Sequence, residues 1–581
     1  MNNSDFSSKQ CKVDIHHKSA VLVQNSDQVD KCDLHKAVFI SGLYNFQSAR
    51  IPIVSDLNIN FWRSRLADYD DTVVCEYLEF GWPINYCANI QPISAKHNHS
   101  SATNFPEAIE DYIRTELKHR AIIGPFDNSP FDSLTINALH TVPKKGSDES
   151  VRRIVLDLSY PREGSVNAGI PGESYLDEDF ELQYPSVDTL AALLINVGAN
   201  SFMYKRDLSR AYRQLPVDPS DYQRLGFKWN NKIYFDTFLP FGLRTAAQAC
   251  QRTTNALTFI MSKEGYSVIN YVDDFAGVEA TFEVAEKAAS KFDLLVKESG
   301  LIIAEHKSVQ PCHSMVFLGI LFDSNKMSMA ITENRICDIR NELAEWMNRK
   351  RVKKKELQSL VGKLNFLAKC CKPGRVFMSR LISALRGLSR SNHHVYLNKE
   401  CRKDILWWRS MLPHFSSVQL IKCGEQQEFF STDACLLGGG GVHFNEFFTF
   451  TFPEDLRIQA TSVAQLEFVT VIIAVKLWAS TWKGSRLVVK CDNISTVQVI
   501  NSGRASDSFM QCCARELIFL QCKWEFELLA LHSTDVDNRL SDLLCKVALD
   551  SGYMRLFMEA SGGQFVEKIV QPNVWHFSCD W

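Results

Sequence analysis

The stretch Ser267-Val268-Ile269-Asn270-Tyr271-Val272-Asp273-Asp274-Phe275-Ala276-Gly277-Val278 sets two adjacent acids between two short apolar runs. Runs of this length and composition predict two strands joined as a hairpin, with Tyr271 to Asp274 at its tip. Two neighbouring carboxylates in an apolar setting are electrostatically costly unless a cation meets them. Turns also favour Asp, so a solvated Asp-Asp turn is the alternative at this point.

Asp207 weakens that alternative. Phe202-Met203-Tyr204-Lys205-Arg206-Asp207 reads as a strand with one acid where it emerges, followed by a helical turn. Carboxylates on two such elements can converge on a pair of divalent ions about 3.5–4 Å apart. Magnesium suits them, because it takes hard oxygen ligands and leaves positions open for phosphate and water.

In order along some 200 residues, the chain resembles reverse transcriptases. Asp207 matches the first catalytic motif, and Tyr271 to Asp274 the Tyr-x-Asp-Asp box. Leu239-Pro240-Phe241-Gly242-Leu243 is similar to the segment beside the incoming nucleotide. Lys307 resembles the next motif, and Phe317-Leu318-Gly319 the primer grip. Upstream, Arg153 matches the arginine that grips the nucleotide triphosphate, with Lys144 or Lys145 assisting. Tyr212, five residues after Asp207, stands where the family puts the ring that blocks a ribose 2′-hydroxyl; an ordinary core aromatic is the competing reading. The resemblance implies an RNA template, a DNA primer, deoxynucleoside triphosphates, and Mg2+ (or Mn2+) held by Asp207, Asp273 and Asp274.

A second set of acids lies towards the C-terminus. Asp433 follows a strand-like run, Glu467 lies inside a long apolar helix, Asp492 ends a strand, and Asp542 lies in a closing helix. Singly, each is an ordinary solvated acid. In this order on strand, helix, strand and helix they resemble ribonuclease H, with Gly438 to Gly441 as a glycine-rich first turn. The resemblance implies a second pair of metal ions on Asp433, Glu467, Asp492 and Asp542, His532 as a mobile-loop histidine, and an RNA–DNA hybrid as substrate. Cys435 and Ser541 depart from the family pattern without removing a metal ligand.

Between the two sets, Arg349-Lys350-Arg351-Val352-Lys353-Lys354-Lys355 places six cations in seven residues. A solvated face and a nuclear import signal are the plain readings, and contact with template–primer phosphates the functional one. Trp407-Trp408 are expected to pack the connection to the nuclease. This connection, with the stretches around residues 57–86 and 124–147, is similar to DIRS-like, tyrosine-recombinase retrotransposons. That likeness adds an element-encoded recombinase and a capsid-like protein as candidate partners. No protease motif, integrase zinc site or recombinase domain is evident in the sequence.

The whole chain sets the bounds. Its 581 residues allow about four domains, and 45% hydrophobic with 23% charged residues is ordinary for folded protein. The net charge of −3 argues mildly against a nucleic-acid enzyme, although local basic patches suffice for binding a polyanion. The 18 cysteines show no zinc-ligand spacing, and the start lacks a signal-peptide pattern. The expectation is a reduced, soluble, intracellular protein of the cytoplasm or nucleus, with no membrane segment.

The expected fold is α+β: a right-hand polymerase with fingers, palm and thumb, followed by an α/β ribonuclease H-like domain. The expected divisions are a disordered tail over 1–45, a helical extension over 46–118, fingers and palm over 119–330, a thumb-like region over 331–400, a connection over 401–426, the nuclease over 427–550 and a tail over 551–581. The alternative from another class is a non-catalytic nucleic-acid-binding relic of a retroelement. Decay strikes acids at random, and all seven are in place.

Overall fold

The computed structural model describes residues 52–578 and the backbone of 45–46 and 49–50, apart from residues 90, 145–147, 149–150, 173, 176–177, 180–185, 414–416, 420–426 and 534–537. Residues 1–44 of the expected tail, and Lys145, lie outside the described residues. Residues up to Leu190 with Phe202–Cys312 form one compact unit; Ala191–Ser201 with the chain from His313 form a second.

The first unit includes helix α1 (Pro106–Lys118) and strands β1 (Ile122–Phe126), β2 (Ile136–Pro143), β3 (Arg152–Asp157) and β4 (Phe202–Asp207). It continues through β5 (Gly226–Trp229), β6 (Lys232–Asp236), α2 (Ala246–Lys263), β7 (Val268–Tyr271), β8 (Asp274–Glu279), α3 (Phe282–Ser299) and β9 (Val309–Cys312). Five strands form one sheet in the order β1-β6-β5-β2-β3, and four form another in the order β7-β8-β4-β9. Capping chemistry bounds α3: the Thr281 side chain accepts the Val284 N–H, and Gly300 ends the helix at φ +82°. Trp62, fully buried, donates its indole N–H to the Ser299 carbonyl at 3.0 Å. This is the mixed α+β arrangement expected of fingers and palm.

The second unit starts with β10 (Ser314–Phe317), β11 (Ile320–Asp323) and β12 (Ser328–Ile331), then α4 (Glu333–Asn348), β13 (Arg351–Lys353), α5 (Lys354–Leu367), β14 (His394–Tyr396), α6 (Lys399–Met411) and β15 (Ser417–Gln419). The basic run expected as a turn between helices is partly strand, because β13 pairs with β14 and turns Val352 and Val395 inward. Trp407 stacks on Phe377 with ring centres 4.0 Å apart, and Trp408 is fully buried, so both pack as expected.

The same unit ends in β16 (Gln427–Ala434), β17 (Gly438–His443), β18 (Glu446–Thr451), α7 (Val463–Trp478), β19 (Arg486–Cys491), α8 (Ile494–Ser502), α9 (Ser508–Lys523), β20 (Glu527–His532), α10 (Arg539–Lys546), α11 (Gly552–Ser561) and β21 (Val566–Glu567). The sheet order is β20-β19-β16-β17-β18-β21, with β16 antiparallel to β17 and parallel to β19, the arrangement of a ribonuclease H-like α/β fold. Helix α7 is apolar nearly all round, as a helix enclosed on every side must be. By length and composition Val463–Thr481 is apolar enough to cross a membrane, with mean hydropathy 1.6, and 72% of that window is buried inside the unit.

One expectation is corrected. Gly438 to Gly441 are not a turn but the body of β17, whose turns fall at 435–437 and 444–445. The reason is steric. A Cβ on Gly440 would stand 2.4 Å from Leu544 Cβ, and one on Gly438 2.5 Å from Ala548 Cβ. The glycines let helix α10 lie directly on the strand backbone.

Candidate active sites

In the first unit, β8 pairs with β4 so that Asp274 lies directly opposite Asp207. Tyr271 pairs with Asp274, leaving Val272-Asp273 as a two-residue turn. Val272 holds φ +55°, a left-handed conformation that costs a β-branched residue about 1–2 kcal/mol. The turn is held from both sides: Val272 N–H donates to Gln251 Oε1 at 2.8 Å, and Leu208 N–H to the Asp273 carbonyl at 3.0 Å. The hairpin, its two acids and Asp207 are therefore brought together as the sequence predicts.

Two lysines meet these acids. Lys307 Nζ bonds both oxygens of Asp207, at 2.7 and 2.9 Å. Lys205 Nζ lies 2.7 Å from Asp274 Oδ1, a pairing that sequence reasoning missed. Its signal was there: Lys205 and Asp207 are two residues apart on β4 and share a face. Burial pushes Asp207 up to about 6, against the pull of Lys307 and with the charge of Asp273. Asp273 is raised too, by burial and then by Asp274. The donor set is all oxygen, which fits a hard divalent cation. Among the described residues, though, the groups whose donor atoms all lie within 4.8 Å of one another do not include these three aspartates.

Beside the acids is an open cleft of about 930 Å³ whose lining includes Lys144, Arg153, Tyr212, Phe241, Asp273 and Lys307. The Tyr212 and Phe241 rings are 5.3 Å apart, and the Arg153 guanidinium stands 5.2 Å over the Phe241 ring. Phe241 is placed by its carbonyl, which accepts the Leu156 N–H at 3.0 Å. Gly242, at φ +110°, must be glycine: a Cβ there would meet the Leu156 carbonyl oxygen at 2.0 Å. Four of the five residues expected at the nucleotide thus line one cleft, with Gly242 fixing its wall.

The expected primer-grip residues lie in the second unit. Phe317 is fully buried at the end of β10, and Leu318-Gly319 form a two-residue turn with φ +49° and +80°. Positive φ at both central residues is the hairpin turn that matches strand twist.

The C-terminal acids converge through their supporting elements. Asp433 is on β16, Glu467 on α7, Asp492 directly follows β19, and Asp542 is on α10. Their donor atoms fall into two groups, each within 4.8 Å: Asp433 with Asp542 and Cys545, and Glu467 with Cys491 and Asp492. Burial raises Asp433 to about 6 and Glu467 to about 8; the charge of Asp492 adds to both. Asp492 Oδ1 is buried without a hydrogen-bond partner among the described residues. Lys546 Nζ lies 2.6 Å from Asp542 Oδ1. Such a converged, partly unsatisfied set of carboxylates fits cations. His532 ends β20 opposite Cys491, one residue from Asp492, and is exposed; residues 534–537 after it are outside the described set.

Sequence reasoning missed the thiols. Cys545 Sγ donates to Asp433 Oδ2 at 3.2 Å, and Cys491 Sγ to Glu467 Oε2 at 3.2 Å. The helical i, i+3 spacing of Asp542 and Cys545 was the available signal for the first. Cys435 is lowered to about 6, chiefly by the neighbouring Cys545 side chain.

Residues 171–322, which include Asp207, Asp273 and Asp274, match the family model described as reverse transcriptase (RNA-dependent DNA polymerase). The chain carries a reverse transcriptase domain of the kind found in retroelement and viral polymerases. Among its relatives is the genome polyprotein of Petunia vein clearing virus, 24% identical over 249 residues, covering 43% of this chain and 10% of that protein. Another is the retrovirus-related Pol polyprotein from transposon gypsy of Drosophila melanogaster, 28% identical over 194 residues, 32% of this chain and 16% of that one. Protein P of duck hepatitis B virus is 23% identical over 309 residues, covering 47% and 34%. The chain thus spans about a tenth of the length of the viral polyproteins it matches. Among solved structures, a foamy viral protease-reverse transcriptase in complex with dsDNA aligns at TM-score 0.48 and 17% identity, over 89% of this chain and 96% of that one.

Proposed function

We propose that the chain is an RNA-directed DNA polymerase with an intrinsic ribonuclease H, copying the RNA of its own element into DNA. The observation that carries the reading is the direct pairing of Asp274 with Asp207 across two strands, with Asp273 on the turn between Tyr271 and Asp274. Asp207, Asp273 and Asp274 would hold the polymerase Mg2+ ions, and Asp433, Glu467, Asp492 and Asp542 those of the nuclease. When bound, these ions would activate the attacking oxygen and neutralise charge on the phosphates.

The chain's own residues do the rest. Arg153 and Lys144 face the triphosphate in the cleft, Phe241 and Gly242 form its wall, and Tyr212 stands against a ribose 2′-hydroxyl, selecting deoxynucleotides. Lys307 pairs with Asp207 and Lys205 with Asp274, offsetting the charge of these acids. Phe317-Leu318-Gly319 position the primer, and His532 serves the nuclease from the rim. The motifs quoted above support a DIRS-like retrotransposon origin, with a separately encoded recombinase and capsid-like protein as partners. They also support the division at 119, 331, 401 and 427 into palm, thumb, connection and nuclease. An intracellular site follows from the chemistry of the substrates.

The test is primer extension on poly(rA)·oligo(dT) with Mg2+, comparing wild type with Asp273→Asn plus Asp274→Asn. Extension by the first and none by the second is expected. A folded wild type that binds the hybrid and never extends it would replace this reading with the non-catalytic relic. Hydrolysis of the RNA in a labelled hybrid, lost in Asp433→Asn, tests the nuclease separately.

A further inference from the structure

Each half of the C-terminal acid cluster contains a thiol. Cys545 is 1% exposed and one helical turn after Asp542, with its Sγ on Asp433. Cys435, two residues beyond Asp433, directs its Sγ to the Cys545 carbonyl at 3.2 Å and accepts the Gly438 N–H at 3.3 Å. One sulfur and two carboxylates, those of Cys545, Asp433 and Asp542, therefore offer donor atoms all within 4.8 Å of one another, contributed by the end of β16 and one face of α10, with Cys435 beside them on the loop after β16. Asn538, 2% exposed, donates its Nδ2 to the Thr432 carbonyl next to Asp433, and its Oδ1 has no partner among the described residues.

We propose that Asp433, Asp542 and Cys545 form a site for a thiophilic divalent cation of the zinc class, with the neighbouring Cys435 as its fourth ligand. The argument is donor chemistry. Mg2+ takes hard oxygen ligands and gains nothing from sulfur, whereas Zn2+ is held by mixed thiolate and carboxylate sets in tetrahedral geometry. A zinc-class ion binding here would take the place of the Cys545 Sγ–H proton, which leaves to solvent, on the Asp433 carboxylate it now meets. The inference rests on the reading of Asp433 and Asp542 as cation ligands. Its consequence for the nuclease is inhibition by low Zn2+ in the presence of excess Mg2+.

The experiment is a Co2+ titration of the metal-free full chain, read by thiolate-to-cobalt charge-transfer absorption and by the visible bands of tetrahedral cobalt. Wild type should develop both, and Zn2+ should abolish them. Cys545→Ser and, independently, Cys435→Ser should weaken cobalt binding about tenfold or more, with circular dichroism showing that each is folded. A cobalt spectrum without thiolate absorption in wild type would overturn the proposal. So would a band undiminished in both variants, which would place the metal on other cysteines. Mg2+-supported hydrolysis of a hybrid is measured on the same preparation. Hydrolysis without the cobalt band sinks the cation site alone; the band without hydrolysis supports the site and sinks the nuclease reading instead.

Discussion

Lys307 holds Asp207 by both carboxylate oxygens, at 2.7 and 2.9 Å, although the two residues are 100 positions apart. A lysine expected at the nucleotide is thus the counter-ion of Asp207. It offsets the burial that pushes Asp207 up to about 6.

That pairing sets a pH dependence. On the proposed function Asp207 must be ionised to serve as a ligand, so polymerase activity should be present above its pKa and fade as pH falls through about 6. Removing the cation in Lys307→Met favours the protonated form. The acidic limb of the rate profile for primer extension should then move upward by about one pH unit or more. An unmoved limb would mean that Lys307 does not act on Asp207 during turnover.

Tyr212 stands against Phe241 in the cleft, where a smaller side chain would leave room beside the ribose. Tyr212→Ala should raise ribonucleotide relative to deoxynucleotide incorporation by about 10–100-fold, measured by single-nucleotide extension. Equal ratios in both proteins would return Tyr212 to an ordinary packing role.

Glu467 gives a stability prediction of defined sign. It is 5% exposed and raised to about 8, so the folded protein holds its proton more tightly than the unfolded chain. Its contribution is fully present below the ordinary carboxylate pKa and is lost as pH rises through about 8. In metal-free buffer, Glu467→Gln should therefore leave the melting temperature nearly unchanged at about pH 4 and raise it at about pH 9. The gain should be on the order of a few kcal/mol in the nuclease transition. A variant destabilised at the higher pH would contradict the assignment.

Arg213 anchors a buried charge network beside the cleft lined by Tyr212. Its guanidinium lies 2.6 Å from Asp236 Oδ1 and 2.9 Å from Glu116 Oε2, with side chains of 1–5% exposure. Arg213→Leu strands Asp236 in the interior, while Glu116 keeps Arg210 at 2.6 Å, and should destabilise the first unit by about 3–5 kcal/mol, read by denaturant unfolding. Adding Asp236→Asn should restore part of that stability.

Lys350, Arg351, Lys353 and Lys355 are all exposed around β13, and none forms an ion pair with a described residue. Replacing them with alanine should flatten the salt dependence of hybrid binding, the log–log slope falling by about 0.9 for each phosphate no longer neutralised. An unchanged slope would leave the run as a solvated face or an import signal.

The sequence by itself determined the kinds of elements, their order, and which acids end or begin them. Alternation around Tyr271 to Asp274, the strand ending at Asp207, and the helix carrying Glu467 are local patterns, and local backbone preference is enough to realise them. Tertiary structure decided what meets those acids. Lys307 reaches Asp207 and Cys545 reaches Asp433 only because distant strands and helices pack together, and no short-range pattern encodes such a meeting. Glu467 changed from an acid whose face was open to one buried deeply enough to hold a proton near neutrality, since desolvation depends on everything packed around it. The glycine run was misread for the same reason. Composition suggested a turn, whereas the close approach of α10 to β17 is what requires residues without side chains.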